Sequence, residues 1–220
     1  MKILITGGGT VEHIDSVRFL TNISSGRTAS LLVDYLSKEN KITYLTSITA
    51  RYMPKNIRKI KMLIFSDFNT LKRLIKKELS KNNYDAVIHL AAVSDYSPVK
   101  IKINGKFFKT PLKEKIDSQS KTIQLILKKN FKIIDRLKDY SKNKKIIVVG
   151  FKLTSNATAK EIISKIQKIK ADIVVHNDTS EIKKTKHIFN IYKNTKKIFK
   201  AENSKELAKR LSKILQKENI

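Results

Sequence analysis

A short apolar run at the start of the chain leads almost directly into a glycine triplet, and no other feature constrains the fold as strongly. The run ILI occupies residues 3–5 and the glycines occupy residues 7–9. This order is typical of a buried β-strand that ends at a tight loop, where backbone N–H groups can approach a phosphate closely. A second small polar turn, residues 22–26, leads into an apolar-periodic run that predicts a helix beginning near Arg27. A helix N-terminus of this kind presents free amides to an anion, so the sequence predicts a phosphate or nucleotide site.

Two common phosphate-binding motifs do not fit the spacing of these glycines. A dinucleotide-binding fingerprint needs a third glycine three residues after the second, whereas Val11, Glu12 and His13 follow Gly9 and Thr10. A P-loop needs Gly-Lys-Ser/Thr after four intervening residues, and the chain has none there. The glycines alone therefore leave the bound group open.

A longer signature surrounds the two turns and continues along the chain. Residues 7–27, GGGTVEHIDSVRFLTNISSGR, combine the glycine turn, an Asp-x-Val-Arg segment and Asn-x-Ser-Ser-Gly. Further blocks follow in order: AAVSDY at 91–96, EKI at 114–116, GF at 150–151 and ND at 177–178. Together the five blocks resemble the phosphopantothenoylcysteine synthetase (phosphopantothenate–cysteine ligase) family in its stand-alone bacterial form.

The resemblance implies a ligase of coenzyme A biosynthesis that joins 4′-phosphopantothenate to L-cysteine. The carboxylate would attack a nucleoside triphosphate to give an acyl-nucleotide and pyrophosphate, and cysteine would then displace the nucleotide. CTP is the expected co-substrate because the layout resembles bacterial members, whereas eukaryotic members use ATP. Mg²⁺ should arrive with the triphosphate, held mainly by phosphate oxygens. A homodimer is also implied.

The resemblance also implies which residues form the site. Asn22 would orient the reacting carboxyl group, and Lys115 in the EKI block would act as a mobile cation on a flap. The nucleotide- and substrate-binding residues implied are Gly8, Gly9, Ser24, Ser25, Gly26, Ala91, Ala92, Asp95, Asn130, Phe151, Lys168 and Lys170. The register of the last two lysines is open by a residue or two, with Lys165 as a further candidate. No metal ligand can be named.

Two places depart from the family pattern. The glutamate that the family carries shortly after Phe151 is absent, and Thr154 and Ser155 stand nearby. The turn at Asn130, which is usually Asn-Pro-Asp or similar, here reads Asn-Phe-Lys. The second departure weakens the transfer of roles to the Asn130 block.

Strand-like runs alternate with helical periodicities along the chain, which is the α/β pattern. We expect a single Rossmann-like three-layer domain over residues 1–220, with a mostly parallel central sheet, a flap at about 97–120 and a C-terminal hairpin. The flap is expected because the pattern there breaks into short lysine-rich pieces around Asn104-Gly105 and Pro111.

The spacing of apolar residues gives approximate element bounds. Strands are predicted at 2–6, 41–46, 57–65, 85–92, 146–151, 171–176, 187–191 and 197–200. Helices are predicted at 27–37, after an Asp67 N-cap, and at 122–140, 160–170 and 205–215.

The composition bears on compartment and partners. The net charge is +28, with 47 Lys and Arg against 19 Asp and Glu, but the lysines are scattered, with no arginine-rich arm or zinc module. We therefore interpret them as a solvated surface, with a basic nucleic-acid-binding module as an alternative. The absence of cysteine, of a long apolar run and of a signal-peptide pattern leads us to expect a cytoplasmic protein without a membrane segment.

A second enzyme class stays open at this point. Tyr96 and Lys100 have the Tyr-x-x-x-Lys spacing that NAD(P)-dependent short-chain-type reductases use for proton transfer. The missing third glycine and the lack of a clear serine partner count against that class.

Overall fold

The computed structural model describes residues 1–182 and 186–218, in which strands and helices alternate along the chain. The strands are β1 (Lys2–Gly7), β2 (Val11–His13), β3 (Phe19–Thr21), β4 (Lys41–Ser47), β5 (Lys61–Phe65), β6 (Ala86–His89), β7 (Tyr96–Ile103), β8 (Lys106–Lys109), β9 (Ile123–Lys129), β10 (Ile147–Thr154), β11 (Ile173–Asp178), β12 (Phe189–Lys193) and β13 (Lys196–Ala201). The helices are α1 (Arg27–Leu36), α2 (Phe68–Lys81), α3 (Leu137–Tyr140), α4 (Ala159–Gln167) and α5 (Ser204–Glu218).

The central sheet has eight strands in the order β13-β12-β11-β10-β6-β1-β4-β5. The six strands from β11 to β5 are parallel, and β12 runs antiparallel to both of its neighbours. Numbered in chain order, the parallel strands follow the 3-2-1-4-5-6 arrangement of doubly wound folds. The predicted Rossmann-like α/β class, the mostly parallel sheet and the C-terminal hairpin of β12 and β13 are therefore confirmed.

Helices cover both faces of the sheet and make three layers. On one face, α1 and α5 bury Leu32 and Leu211 in a core with Ile5 and Val149. On the other face, the buried side of α2 packs against Leu4 and Val148 together with α3. Helix α4 covers β11 and β12 through Ile166, Val174 and Tyr192. Successive residues of a buried strand point to opposite faces, so strands such as β1 are apolar throughout.

Helix α2 shows how the sequence sets these boundaries. The Asp67 carboxylate accepts a hydrogen bond from the backbone N–H of Thr70 at 2.7 Å, and the Thr70 hydroxyl accepts one from the backbone N–H of Asp67 at 2.9 Å. This reciprocal capping box begins the helix at Phe68, so the predicted N-cap is confirmed.

A second, three-stranded antiparallel sheet in the order β8-β7-β9 corrects two predictions, and we call it the flap sheet. The helix predicted over 122–140 is wrong, because residues 123–129 form β9 and only Leu137–Tyr140 is α-helical there. The apolar positions 123, 125 and 127 alternate, and this period of two allows β9 to pair with β7. The flap is also less irregular than expected, since β7 and β8 form the hairpin predicted at Asn104-Gly105.

The other element predictions differ mainly at their ends. The strand predicted over 57–65 is shorter, because residues 57–59 form a 3-10 turn before β5, which is an edge strand as expected. Within the described residues, no helix has the length and apolar character needed to span a membrane.

The flap sheet also bears on the reductase alternative. Tyr96 pairs with Lys129 of β9 and Lys100 pairs with Ile126, with a bulge between Pro98 and Lys100. Because the two partners on β9 are three residues apart, Tyr96 and Lys100 lie on opposite faces of the sheet. The Tyr-x-x-x-Lys pair therefore does not converge on one site.

Candidate functional site

A large cleft opens at the carboxyl ends of the parallel strands. It lies where the strand order reverses between β1 and β6, the position at which doubly wound sheets bind ligands. Its volume is about 1070 Å³, and its walls come from the glycine loop after β1, the residues 21–29 before and within α1, the segment after β6, the turn at 131–135, and the ends of β10 and α4.

The glycine loop forms a floor that only backbone atoms could build. Gly8 has a φ of +85°, and a Cβ there would lie 2.5 Å from the Cβ of Ser47. The Ser47 hydroxyl donates to the carbonyl oxygen of Gly9 at 2.6 Å, and the N–H of Ala92 donates to the carbonyl oxygen of Gly8 at 2.8 Å. Thr10 N–H in turn donates to the carbonyl oxygen of Ala92 at 3.2 Å. The loop after β1 and the segment after β6 are thus joined by their main chains.

Asn22 belongs to the same assembly. Its Nδ2 donates to the carbonyl oxygen of Val93 at 3.1 Å, so the side chain spans from the end of β3 to the segment after β6. Thr21 supports this position, because its hydroxyl donates to the carbonyl oxygen of Thr10 at 2.8 Å. The Asn22 side chain is exposed at the cleft, where a substrate group can reach it.

The N-terminus of α1 faces the cleft without a side-chain cap. Gly26 is the N-cap residue in the left-handed region (φ 77°), and the first turn contains no acidic residue. Ser24, Ser25 and Gly26 line the cleft together with Arg27, whose guanidinium lies 5.6 Å from the ring centre of Tyr52. Open amides, hydroxyls and a cation at a helix N-terminus suit an anion.

Lysines contribute most of the charge on the opposite wall. Lys132, Lys152, Lys165 and Lys168 line the cleft, whereas Lys170 does not. Lys132 forms an ion pair with Asp95, the predicted acidic residue of the segment after β6. Burial lowers the pKa of Lys152, and the charges of Lys132 and Lys165 lower it further. The structure thus favours Lys165 and Lys168 as the pair that faces the site.

The far end of the cleft has an aromatic and amide character. Phe151 is half-buried in β10, and Asn177, the last residue but one of β11, pairs with Leu153, two residues further along β10. The Asn177 Nδ2 lies 3.0 Å from Nε2 of His187, whose ring stacks on Phe189 with a centroid distance of 4.1 Å. Burial lowers the pKa of His187, and the charge of Arg27 lowers it further, so the imidazole is neutral near pH 7.

The two departures from the family pattern have definite surroundings. In the stretch where the family glutamate is absent, the Thr154 hydroxyl donates to Asp178, and it also contacts Nε2 of His176 at 2.8 Å. Asp178 accepts further bonds from Ser180, and these contacts hold its pKa well below the usual range. Asn130 lies behind the cleft wall, where its Nδ2 donates to the carbonyl oxygen of Ser94 at 3.1 Å.

Lys115 lies outside the cleft and is exposed. Its neighbour Ile116 is buried, and the Ile116 N–H donates to Oδ2 of Asp15 at 3.1 Å. Leu112 N–H donates to the carbonyl oxygen of Ile14 at 2.9 Å, so the segment after β8 is docked on the ribbon of β2 and β3. Burial of Asp15 alone would raise its pKa, but the N–H groups of Ile116 and of the ribbon hold the pKa far below its usual range.

The structure therefore brings most of the predicted residues to one cleft and leaves others outside. The cleft lining includes Gly8, Asn22, Ser24, Ser25, Gly26, Ala91, Ala92, Asp95, Phe151 and Lys168. Gly9 supports the floor, Asn130 supports the wall, and Lys115 and Lys170 lie outside. The sequence reasoning missed Arg27, Lys132, Lys152 and His187 as lining residues. The first three directly follow or lie close to predicted residues, and that adjacency was the signal available.

Comparisons with known proteins place the chain among pantothenate-related proteins. The family model described as "DNA/pantothenate metabolism flavoprotein C-terminal domain" matches residues 1–220. The coenzyme A biosynthesis bifunctional protein CoaBC of Methanocaldococcus jannaschii is 32% identical over 185 residues, which are 80% of this chain and 40% of that protein. The chain thus spans about two fifths of the length of this curated relative.

Solved structures agree with this relationship. The DNA/pantothenate metabolism flavoprotein of Streptococcus pneumoniae superposes with a TM-score of 0.84 and 27% identity, covering 99% of both chains. The H337A mutant of Cab2, in complex with phosphopantothenate-cysteine, has a TM-score of 0.72 and 16% identity over 99% of this chain and 87% of that one. At that identity, the second likeness concerns the fold alone.

Proposed function

Because the chain belongs to the DNA/pantothenate metabolism flavoprotein C-terminal domain family, we propose that it is a ligase that joins 4′-phosphopantothenate to L-cysteine in coenzyme A biosynthesis. The observation that carries the proposal is the convergence of Asn22, the glycine loop and the open N-terminus of α1 on one cleft. The name of the M. jannaschii relative, a coenzyme A biosynthesis protein, supports the pathway.

The reaction has two steps. In the first, the carboxylate attacks the α-phosphorus of a nucleoside triphosphate, and pyrophosphate leaves from an acyl-nucleotide. In the second, the amine of cysteine attacks the acyl carbon, and the nucleotide leaves. Both steps gather negative charge in a small volume, so they need fixed donors and cations more than a single strong base.

The residues of the cleft divide these tasks. The α1 N-terminus with Ser24, Ser25 and Arg27 binds phosphate oxygens, and Lys165 and Lys168 bind the rest of the triphosphate from the opposite wall. Asn22 donates to the reacting carboxyl oxygen and stays in place through its bond to Val93. The small side chains Ala91 and Ala92 let the substrate lie against the backbone at the β6 end.

In this assignment, Phe151 and Asn177 bind the base of the nucleotide at the far end of the cleft. Phe151 offers a ring face for stacking, and Asn177 offers an amide for the polar edge of the base. Asp95 and Asn130 hold the wall between base and substrate. The base is proposed to be cytosine, as the resemblance to bacterial members implies, with adenine as the alternative, and the exocyclic amine of either base could donate to the amide oxygen of Asn177.

Mg²⁺ enters this proposal as a companion of the triphosphate. Among the described residues, no group of three His, Cys, Asp or Glu side chains could hold a metal ion. Two carboxylates, those of Asp95 and Asp135, line the cleft, and Asp95 is paired with Lys132. Phosphate oxygens would therefore supply most of the metal's ligands, and Mg²⁺ would neutralise phosphate charge.

A pyrophosphate-release assay with phosphopantothenate, cysteine and each of the four common triphosphates tests the function. We expect release to require phosphopantothenate and to be fastest with CTP. If none of the four triphosphates gave pyrophosphate release, the ligase assignment would be wrong. Faster release with ATP than with CTP would leave the ligase assignment in place and overturn the choice of CTP.

A homodimer is part of the proposal, and the flap sheet supplies its surface. One face of this sheet is apolar and, apart from the buried Ile101, its apolar residues are partly or largely exposed. Its members, identified from the strand pairing, are Ile101, Ile103, Phe108, Ile123, Leu125 and Leu127. Phe108, Ile123 and Leu127 are each more than 40% exposed, which favours burial against a second copy about a two-fold axis.

Light scattering tests the assembly. The wild-type protein should have the mass of two chains at micromolar concentration, and Leu127→Lys on the apolar face should give one. The matched control is Phe107→Lys, because Phe107 is 58% exposed on the other face and should leave the dimer intact. A wild-type monomer, or equal effects of the two changes, would overturn this surface.

A further inference from the structure

Three of the lysines that line the cleft, Lys152, Lys165 and Lys168, form no ion pair within the described residues, and of these Lys152 is half-buried whereas the other two are exposed. The Lys152 side chain lies near the end of β10, and in residues 1–182 and 186–218 no carboxylate lies within ion-pair distance of its ammonium. The nearby Asp95 is committed to Lys132. Partial burial of an ammonium group without a carboxylate partner has a desolvation cost, so we looked for a chemical role at this position.

The groups around Lys152 are mainly cations. Lys132 and Lys165 are the like charges that act on it, and Asp95 is the opposing charge. Burial and the two neighbouring ammonium groups both favour the neutral amine, so the pKa of Lys152 is lowered. Lysines that act as bases are activated in this way, by desolvation and adjacent cations.

The position of Lys152 relates it to the reacting centre. Strand β10 lies directly beside β6, and β1 lies on the other side of β6. The segment after β6 is held by Asn22 at Val93 from the β1 side, and by Lys132 at Asp95 from the β10 side. Lys152 and Asn22 therefore flank the same short segment, along which the acyl group would lie.

We propose that Lys152 accepts the proton that cysteine must lose before its amine attacks the acyl-nucleotide. The inference rests on the proposed ligase function and adds a catalytic residue to it. The cysteine ammonium gives one proton to the neutral Lys152 amine, the free amine forms the C–N bond, and the C–O bond to the nucleotide breaks with its electron pair. The second proton of the attacking nitrogen leaves with the nucleotide phosphate or to solvent.

The charge of the groups bound in the cleft determines when Lys152 is protonated and when it is neutral. A bound triphosphate surrounds Lys152 with negative charge and keeps it protonated, so it helps to bind phosphate in the first step. Pyrophosphate then leaves and carries away most of that charge together with the Lys152 proton. The remaining cations favour the neutral amine when cysteine arrives.

Lys152→Arg separates the two roles, because arginine keeps the positive charge and does not act as a base. Acyl-nucleotide formation from phosphopantothenate and CTP without cysteine should stay within about threefold of wild type. Capture of that intermediate by cysteine at about pH 7 should fall about 100-fold, the typical contribution of a general base. It should recover at about pH 9, where more of the cysteine amine is neutral.

Two further measurements sharpen the test. Hydroxylamine is neutral at about pH 7 and needs no base, so it should capture the intermediate at similar rates in wild type and Lys152→Arg. Lys152→Met should slow both steps, and Lys160→Met on the exposed side of α4 should slow neither.

The outcomes separate this proposal from the ligase function. An equal loss of both steps in Lys152→Arg, or a loss that persists with hydroxylamine, would overturn the role as proton acceptor while the ligase stands. Failure of the wild-type protein to form an acyl-nucleotide from any triphosphate would overturn the ligase, and the role of Lys152 with it.

Discussion

The glycine loop after β1 is buried and bonded through its main chain to two neighbouring segments, whereas the flap sheet leaves most of its side chains exposed. Gly8 and Gly9 are tied to Ala92 and Ser47 by backbone carbonyls. The segment after β8 is held to the body by a few contacts, chiefly the bonds from Leu112 and Ile116 to the ribbon. The cleft floor is thus shaped before a substrate binds, while a small number of contacts decides where the flap segment lies.

This difference assigns different work to the two regions. Preorganised donors at the floor need no rearrangement when charge develops, which is the main source of electrostatic catalysis. A segment held by few contacts can move on the timescale of turnover and close a site. Substitutions in each region test this difference.

Asn22→Asp should have the largest effect on activity. The change places a negative charge beside the reacting carboxylate and removes an aimed donor, which typically costs roughly 2.7–4 kcal/mol of barrier, or about 100- to 1000-fold in rate. Steady-state pyrophosphate release measures it. Asn56→Asp, at an exposed turn without a side-chain cap, is the control and should keep wild-type rates. Activity of Asn22→Asp within threefold of wild type would remove the donor role.

Gly8→Ala and Gly105→Ala compare the two regions directly. Both glycines have nearly the same positive φ, +85° and +84°, but a Cβ at Gly8 meets Ser47 whereas nothing lies within 4 Å at Gly105. Gly105→Ala should cost only the left-handed conformation, about 1 kcal/mol. Gly8→Ala adds overpacking and should cost about 3 kcal/mol in all. Urea unfolding measures both values, and equal losses would show that the floor can relax.

Lys115→Gln and Lys113→Gln test the flap. If Lys115 enters the cleft when substrate orders its segment, losing its charge should cost about 2 kcal/mol, the scale of a charged hydrogen bond. Lys113 is exposed in the same segment and should be dispensable. Initial rates at saturating triphosphate measure the difference, and protease cleavage of residues 110–120 should slow when ligand binds. Equal turnover of the two variants, or cleavage unaffected by ligand, would contradict the flap role.

The smallest effect concerns pH at the flap anchor. The pKa of Asp15 is lowered in the folded protein, so its bonds contribute stability above about pH 4 and lose it as the pH falls below that value. Asp15→Asn should therefore accelerate protease cleavage near Ile116 at about pH 7, and the difference between the two proteins should be smaller at about pH 3. An acid-stable protease would measure the second value. A difference that stays constant with pH would show that the carboxylate does not anchor the segment.

The same contrast explains what the sequence could and could not predict. The floor was predictable because its information is local: a glycine triplet after a strand, and Asn-x-Ser-Ser-Gly before a helix, each specify their own conformation. The helix predicted over 122–140 failed because Ile126, Ile133 and Ile134 also fit a helical spacing. Pairing with β7, a segment about 25 residues earlier, favours the strand at 123–129 instead.

The charged wall of the cleft was hard to predict for a different reason. In a chain with so many lysines, only the topology shows which of them face the site. Lys132 and Lys152 come from unrelated stretches, and they meet because β10 lies beside β6. Lys168 and Lys170 have similar sequence contexts, and only the orientation of the chain after α4 separates them.

The main-chain bonds between Gly8, Thr10 and Ala92 have a consequence for how such a chain can change over generations. Almost every residue type has the same main-chain donor and acceptor. Hydrogen bonds between main chains therefore restrict only weakly which amino acids can be encoded at these positions. A genome that drifts towards lysine and isoleucine codons can rewrite the surface of the protein while the floor keeps its shape. The exceptions are the glycines, where any side chain would collide. Mutational tolerance should therefore be lowest at Gly7, Gly8 and Gly9.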